Sequence, residues 1–389
     1  MNRLPELGPH IVFFTGGTAL AQISRELARH THNSVHLVTP FDSGGSSASL
    51  RRIFAIPAVG DVRKRLIALA DTRFTPPAVL ELCEQRLPSV GGREELLHSL
   101  YGLASARAPA WQAIPRVFGE VLRVHLQYFL EGMPPHFDPR GACLGNLVLA
   151  GGWLHNKGDL LSCIGVFSRL LQVRGIVLPV VQENLHLAAE LNNGELVLGQ
   201  HRITSRSKPL SAPVKRLFLT SQMDAGVQNQ FRECRVPLTA LAATYIRAAD
   251  LICYPMGSFY TSVLANLLPG GVGKAIAQAH CPKLYIANSG FDPEQRGQSV
   301  ADRVAMLLTT LRRDTDESLE TDKLLNRVLI DSQNGVYPGG IDQDSIAALG
   351  LELCDLPLVQ AADPQTHRPE LVSSALIQAA TSWHGSTAS

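Results

Sequence analysis

IVFFTGGTALAQISRELARH, residues Ile11 to His30, sets how the rest of the chain is read. The four apolar residues Ile11 to Phe14 predict a short strand buried on both faces, as in the centre of a parallel sheet. Gly16 and Gly17 permit backbone angles closed to other residues, and Leu20, Ile23 and Leu27 then repeat at helical spacing, with Thr18 the expected cap. Strand, glycine turn and helix start together leave backbone N–H groups where a phosphate can sit. GGTA is neither GxGxxG nor GxxxxGK[ST], so the two common nucleotide fingerprints are absent and a tight turn without ligand stays open at this point.

Two further loops repeat the pattern. A second strand is expected at Val35 to Thr39, and its carboxyl end leads into Asp42, Gly44, Gly45, Ser46 and Ser47, then Gly60 and Asp61, between helical pieces. CYPMGSFYTS, Cys253 to Ser262, again runs strand, glycine turn, helix, and offers the hydroxyls of Ser258, Tyr260, Thr261 and Ser262. Ligands of open α/β sheets bind outside the carboxyl ends of the strands, so Gly17, Gly45 and Gly257 are expected on one edge. An ordinary helix cap is the competing role of each hydroxyl.

The 389 residues, 45% hydrophobic and 18% charged with a formal net charge of +1, describe a globular chain without a field to attract nucleic acid or an anionic membrane. Any anion site must be local. The seven cysteines are scattered without a CxxC pair, which points to thiols in a reducing compartment. The N-terminus MNRLPELGPH carries no signal-peptide pattern, and a cytoplasmic location is expected.

Between about residues 72 and 140 the pattern is helical without strands. Trp111, Phe118, Tyr128 and Phe129 read as helix-packing residues there. Apolar content above what a solvated insert needs places this segment beside the crevice or against a second subunit in a homodimer. GNLVLAGGWL and LLSCIGVFSRLL follow as helices, RGIVLPVV as a strand, and LHLAAELNNGELVLG as a hairpin about Asn-Gly. VKRLFLT, DLICYP, KLYIAN and RVLID, the last strand expected, then alternate with helices, which implies a doubly wound α/β sheet covered on both faces. The polar last residues are expected to fray.

Read in order, TGGTAL, DSGGSSASLRR, VGDVRKRLIALAD, LGNLVLA, VLPVVQENLHLAAELNNGELVLGQ, AADLICYPMGSFYTS and KLYIAN resemble the family of 2-phospho-L-lactate transferase (CofD) and the gluconeogenesis factors of the YvcK type. The resemblance implies one Rossmann-like, three-layer domain over residues 1–389, interrupted by the insert, that binds a nucleotide or nucleotide-linked small molecule. In the transferase branch a phospholactyl group passes from a guanosine diphosphate-linked donor to a hydroxyl of a deazaflavin with Mg2+ assisting. That chemistry needs carboxylates for the metal and backbone donors for phosphate oxygens. By resemblance Asp42 is the metal ligand, Asp42 and Asp61 are the catalytic carboxylates, and Asn146 hydrogen-bonds the ligand. Gly16, Gly17, Thr18, Ser43, Gly44, Gly45, Ser46, Ser47, Arg52, Gly257, Ser258, Tyr260 and Thr261 complete the expected ligand contacts.

The departures are as specific as the matches. Ser43 stands where the family has a second carboxylate, leaving fewer hard oxygens for magnesium, and Ala19 replaces the last glycine of GGTG. YPMGS replaces GPGS, and NSGFDPEQRGQS lacks the acceptor-side GET run. His30, His32, His155, His186 and His280 are dispersed and suggest no metal or general base. Two functions remain, a phosphorus-group transferase and a non-catalytic nucleotide-sugar-binding regulator, with Asp42 and Asp61 favouring the first.

Overall fold

The computed structural model describes residues 4–105, 108–205, 207–222, 232–295, 297–316 and 318–382. The terminal residues expected to fray, 383–389, lie outside that range, as do residues 106–107 of the insert. Twelve strands follow one another along the chain: β1 (Ile11–Thr15), β2 (Ser34–Val38), β3 (Ile176–Pro179), β4 (His186–Leu191), β5 (Leu196–Leu198) and β6 (Val214–Thr220), then β7 (Leu251–Tyr254), β8 (Lys283–Ile286), β9 (Arg327–Ile330), β10 (Glu352–Asp355), β11 (Val359–Gln360) and β12 (Asp363–His367). Seven of them form a sheet in the order β10-β9-β8-β7-β1-β2-β3, with every pairing parallel.

From β1 the chain winds outward through β2 and β3, then returns to pair β7 against the other side of β1, Ile11 opposite Leu251 and Phe13 opposite Cys253. The strand order therefore reverses between β1 and β7, the place where a doubly wound sheet opens a crevice. β1 is buried throughout, as its composition predicts. Val12 and Phe14 pack into the core on one face with Leu37 and Tyr254. Ile11 and Phe13 face the other way, against Leu27 and Leu376.

Three sequence expectations change. VKRLFLT, β6, pairs antiparallel with β4, so with the β4–β5 hairpin it makes a separate three-stranded sheet. RVLID, β9, is not the last strand: β10 extends the parallel sheet beyond it, and β11 and β12 form a small antiparallel hairpin. SFYTSVLANLL is a π turn, Phe259–Val263, running into a 3-10 turn, Leu264–Leu267.

The helices that frame the crevice are α1 (Ala21–Leu27), α2 (Gly45–Phe54) and α3 (Gly60–Leu69); the insert supplies α4 (Pro77–Glu84), α5 (Arg93–Ala104) and α6 (Arg116–Gly132); α7 (Leu144–His155), α8 (Leu160–Leu170) and the single-turn α9 (Gln200–Ile203) follow. Pro115 marks the start of α6, because proline fits the end of a helix better than its interior. The insert does not stand apart. Its Leu100, Leu122 and Phe129 share a core with Leu50 of α2, Val62 of α3 and Leu147 of α7, so it buttresses the helices that carry the second loop. Phe129 is fully buried against Phe54 and Phe137, whereas Tyr128 stays partly exposed beside the His155 ring. Among the described residues no helix is long and apolar enough to cross a membrane.

α6 and α7 meet at Gly151, where an added Cβ would run into the His125 carbonyl and lie 3.0 Å from the Phe129 nitrogen. Backbone cannot give way as a flexible side chain can. Gly151→Ala should therefore destabilise the protein by about 1–3 kcal/mol, the usual cost of overpacking, measured by urea unfolding. An unchanged unfolding midpoint would contradict this packing.

Candidate functional site

The first loop is held from below by α3. Gly16 and Gly17 do not adopt left-handed angles; the conformational reason expected from the sequence gives way to a spatial one. A Cβ on Gly16 would collide with the Ser262 side chain, and one on Gly17 would lie 2.5 Å from Asp61 Oδ1 and 2.6 Å from Lys64 Cδ. Arg65, fully buried, donates to the Gly17 carbonyl through Nη2 at 2.9 Å and Nε at 3.3 Å, and to Ser24 Oγ at 3.0 Å. Thr18 is exposed and does not cap α1, whose cap position is Leu20 without a side-chain bond. Among the described residues the N–H groups of Gly17, Thr18 and Ala19 meet no acceptor.

Those N–H groups border a cavity of about 300 Å³ at the β1/β7 switch point, lined also by Asp61, Lys64, Gln200, Gly257, Ser258 and Ser262. Lys64 Nζ lies 3.2 Å from Asp61 Oδ1. Burial pushes the Asp61 carboxyl up, opposed by Lys64 and reinforced by Asp42. Asp61 is thus a packed partner of Lys64 and of the glycine loop, with little surface left for a reactant.

The second loop sits beside the first because β1 and β2 are neighbours. Gly45 takes φ +49°, a left-handed angle that glycine permits at least cost. It opens α2, whose N–H groups at Gly45, Ser46 and Ser47 have no side-chain cap. Asp42 Oδ1 accepts from Gly44 N at 2.9 Å. Its other oxygen lies 3.0 Å from where a Gly60 Cβ would stand, in a cradle completed by Ser47 Oγ and, at 3.8 Å, Asn146 Nδ2. Asn146 donates to Ser46 Oγ at 2.9 Å, while its own Oδ1, buried, finds no partner among the described residues. Arg51 is the clamp of this loop: it donates to the carbonyls of Phe41 (3.0 Å), Asp42 (3.1 Å) and Leu185, and to Asn184 Oδ1 (2.9 Å). Arg52, expected as a ligand contact, is exposed and lines neither cavity of the crevice. Asp42, Ser43, Gly44, Gly45, Ser46, Ser47 and Asn146 also lie outside those linings, so the second loop stands beside the two cavities and walls neither.

Ser43 turns toward the small sheet. Its Oγ lies 2.7 Å from His201 Nδ1 and accepts from His201 N at 3.2 Å, tying the second loop to α9. Partial burial, then Arg202, pushes the His201 imidazole down. The neighbouring Gln200 lines the first cavity, and its buried Oε1 has no partner among the described residues.

Magnesium could be held here only as a shared ion. Asp42 Oδ2 is a hard oxygen of the right kind with the Ser47 hydroxyl near it, but Asn146 turns its amide nitrogen to this cradle, and among the described residues no cluster of three His, Cys, Asp or Glu could hold a metal alone. Ligand phosphates and water would have to supply the remaining positions, as magnesium sites commonly arrange.

In the third loop the chain itself engages part of the expected contact set. Gly257 takes φ +139° and is fixed to Asn288, its N donating to Oδ1 at 2.6 Å and its carbonyl accepting from Nδ2 at 2.5 Å. Its Cβ would stand 3.1 Å from the methyl of Ala19, so the first and third loops touch. Gly257 and Ser258 line the cavity, but Tyr260 and Thr261 are buried with their donors already taken. Glu294 Oε2 accepts from Tyr260 N at 2.7 Å and Thr261 N at 3.1 Å, and Oε1 from the Thr261 hydroxyl at 2.6 Å. The chain's own carboxyl occupies the place expected for a phosphate. Burial, then Asp292, pushes the Glu294 carboxyl up to about 7.

Sequence reasoning missed Gln200, His201, Asn288 and Glu294 as site residues; only Glu294 and Asn288 lay in a segment marked as unusual, NSGFDPEQRGQS. In sequence Arg51 and Lys64 offer themselves only as salt-bridge partners of the nearby carboxylates, a role Lys64 takes toward Asp61; Arg65 carries no such signal.

The chain is similar over its length to the gluconeogenesis factor of Halalkalibacterium halodurans, 28% identical over 379 residues, with 95% of this chain and 96% of the relative covered. The gluconeogenesis factor of Bacillus subtilis is 29% identical over 380 residues, covering 95% and 97%. A crystal structure of a UPF0052 family protein from Bacillus halodurans superposes with a TM-score of 0.69 at 25% identity, over 95% of this chain and 99% of that one. Residues 11–356 match the family model described as 2-phospho-L-lactate transferase CofD, and the chain belongs to the CofD family.

Proposed function

We propose that the crevice binds a small molecule linked to a nucleoside diphosphate, and that the protein is a regulatory binding module of the gluconeogenesis-factor type. One observation carries the reading: the unpartnered N–H groups of Gly17 to Ala19, and those at the start of α2, stand on adjacent strand ends with the Lys64 ammonium beside the first set. Such groups hold phosphate oxygens by charge-assisted bonds without rearrangement. Full-length similarity to proteins named gluconeogenesis factor supports the regulatory role. Against turnover weigh the burial of Asp61 under Lys64 and the commitment of one Asp42 oxygen to Gly44.

Transfer of a phospholactyl-type group from a nucleotide-diphosphate donor to a hydroxyl acceptor is the second reading. It is favoured by the cradle of Asp42 Oδ2, Ser47 and Asn146 over Gly60, where a magnesium ion shared with ligand phosphates would sit. Magnesium would neutralise phosphate charge; the chain's own part would be to orient the diphosphate.

Titration calorimetry with uridine and guanosine diphosphates, with and without magnesium, separates the readings. Lys64→Ala should weaken binding roughly tenfold or more, the scale of a hydrogen bond to a charged group. Under the regulatory reading Asp42→Asn leaves affinity intact or improves it, because a negative charge near the phosphates is removed. A loss of magnesium-dependent affinity in Asp42→Asn, together with consumption of a guanosine diphosphate-linked phospholactate in the presence of a deazaflavin acceptor, would establish the transferase instead.

Glu294 gives a pH signature. Between its ordinary value near 4.5 and its native value of about 7, the folded protein holds a proton that the unfolded chain has released. Its contribution to stability is therefore full below about 4.5 and is lost as pH rises through about 7. Glu294→Gln stays neutral, so the melting temperature of this variant should fall less than that of the parent across that interval. Superimposable pH profiles in scanning calorimetry would contradict the assignment.

A further inference from the structure

The seven-stranded sheet ends at β10, and that edge is bare. Glu352 N donates to the Asn326 carbonyl and Leu356 N to the Ile330 carbonyl, so the parallel ladder to β9 uses alternate residues: Glu352, Cys354 and Leu356. The peptide groups of Leu353 and Asp355 therefore point away from the sheet. Among the described residues nothing donates to them or accepts from them.

A free edge is ordinarily guarded by charge. Both carboxylates of this one are drawn back onto β9 and the turn that follows it. Glu352 Oε2 accepts from Arg327 Nε at 2.7 Å, and Asp355 Oδ1 from Ser332 N at 2.8 Å, with the Ser332 hydroxyl on Oδ2. What remains along the edge is apolar: Leu353 and Cys354, half-buried, and Leu356, 37% exposed.

We infer that β10 pairs antiparallel with β10 of a second copy of this chain, continuing the sheet across a two-fold axis at Cys354. The free groups fix the register, because only residues 353 and 355 present outward peptide groups. An axis at Asp355 would set two carboxylates face to face, which destabilises a ladder. An axis at Leu353 would call on the Leu351 N–H, already given to the Ile346 carbonyl at 3.4 Å. With the axis at Cys354, Leu353 and the partner's Asp355 exchange both bonds, and the two-fold repeats the exchange. Charge is then complementary along the whole seam, since Asp355 faces a leucine, the partner's Leu353, and Glu352 faces the partner's Leu356. Cys354 meets its own copy as a non-hydrogen-bonded pair, with Cα atoms about 4.5 Å apart. Four backbone hydrogen bonds and a short apolar seam make a reversible association and not an obligate one. The β1/β7 crevice lies three strands away and stays open.

Sedimentation of the full chain over a concentration series tests this, with wild type, Leu353→Pro and Cys354→Ser. Wild type should pass with concentration from the chain's 42.1 kDa to twice that mass. Proline at 353 removes an outward N–H and spares the bonds to β9. Leu353→Pro should therefore weaken association roughly tenfold or more, since each dimer loses two donors; thermal unfolding recorded alongside reports whether its fold is kept. Whatever proline does to the fold, oxidation with copper phenanthroline decides the axis: it should join wild-type chains through Cys354 and leave Cys354→Ser unjoined, because a Cα separation of about 4.5 Å is within disulfide reach. A wild type that stays at 42.1 kDa throughout would leave the edge to solvent or to another protein and overturn the inference. A dimer that a folded Leu353→Pro leaves unweakened, or that oxidation does not join through Cys354, would put the contact elsewhere and overturn it equally.

Discussion

Two buried guanidinium groups, Arg51 and Arg65, fix the shape of the crevice. A charge taken out of water is tolerated only when its donors are satisfied, and both spend theirs chiefly on loop oxygens: Arg65 on Gly17 and Ser24, Arg51 on Phe41, Asp42, Asn184 and Leu185. Burial pushes each down to about 10, still charged at neutral pH. Because a trans peptide sets its C=O and the following N–H on opposite sides, turning the Gly17 carbonyl inward to Arg65 turns the Thr18 N–H outward. The same geometry at Asp42 turns out the Ser43 N–H. The arginines thus aim the donors that a phosphate would meet, without touching a ligand themselves.

This explains why α3 matters beyond its packing. Its successive cations have three fates: Arg63 bonds the Cys83 carbonyl, Lys64 pairs with Asp61 at the cavity, and Arg65 holds the first loop. GDVRKRL reads in sequence as a basic helix start, and nothing in composition says which cation faces water. The strand pattern was far more legible. Ile11 to Phe14 and Leu251 to Tyr254 are uniformly apolar, and runs buried on both faces can hardly be anything but inner strands of a covered sheet.

Where sequence reasoning erred, the missing information lay in contacts between distant segments. The direction of β6 depends on its pairing with β4, which VKRLFLT does not encode. DPQTH, the second strand of the terminal hairpin, has no apolar alternation to mark it. Gly16 and Gly17 were identified as essential for the wrong reason, since the constraint is the proximity of Ser262 and Asp61 and not their own angles. The third loop has the local form of an anion site. Only the fold brings Glu294, thirty-odd residues later, onto its N–H groups. Ser43, read as a lost metal ligand, instead connects the second loop to His201.

If ligand phosphates rest on the first two loops while Glu294 keeps the third closed, the backbone amides of the three loops respond differently to nucleotide. Amide chemical shifts of the full chain, recorded by nitrogen–proton correlation as uridine or guanosine diphosphate is added, test it residue by residue. The account predicts large shifts for Gly17, Thr18, Ser46 and Ser47, with Tyr260 and Thr261 nearly unmoved. Large shifts at Tyr260 and Thr261, with the first two loops unaffected, would mean that the nucleotide displaces Glu294 and would contradict it.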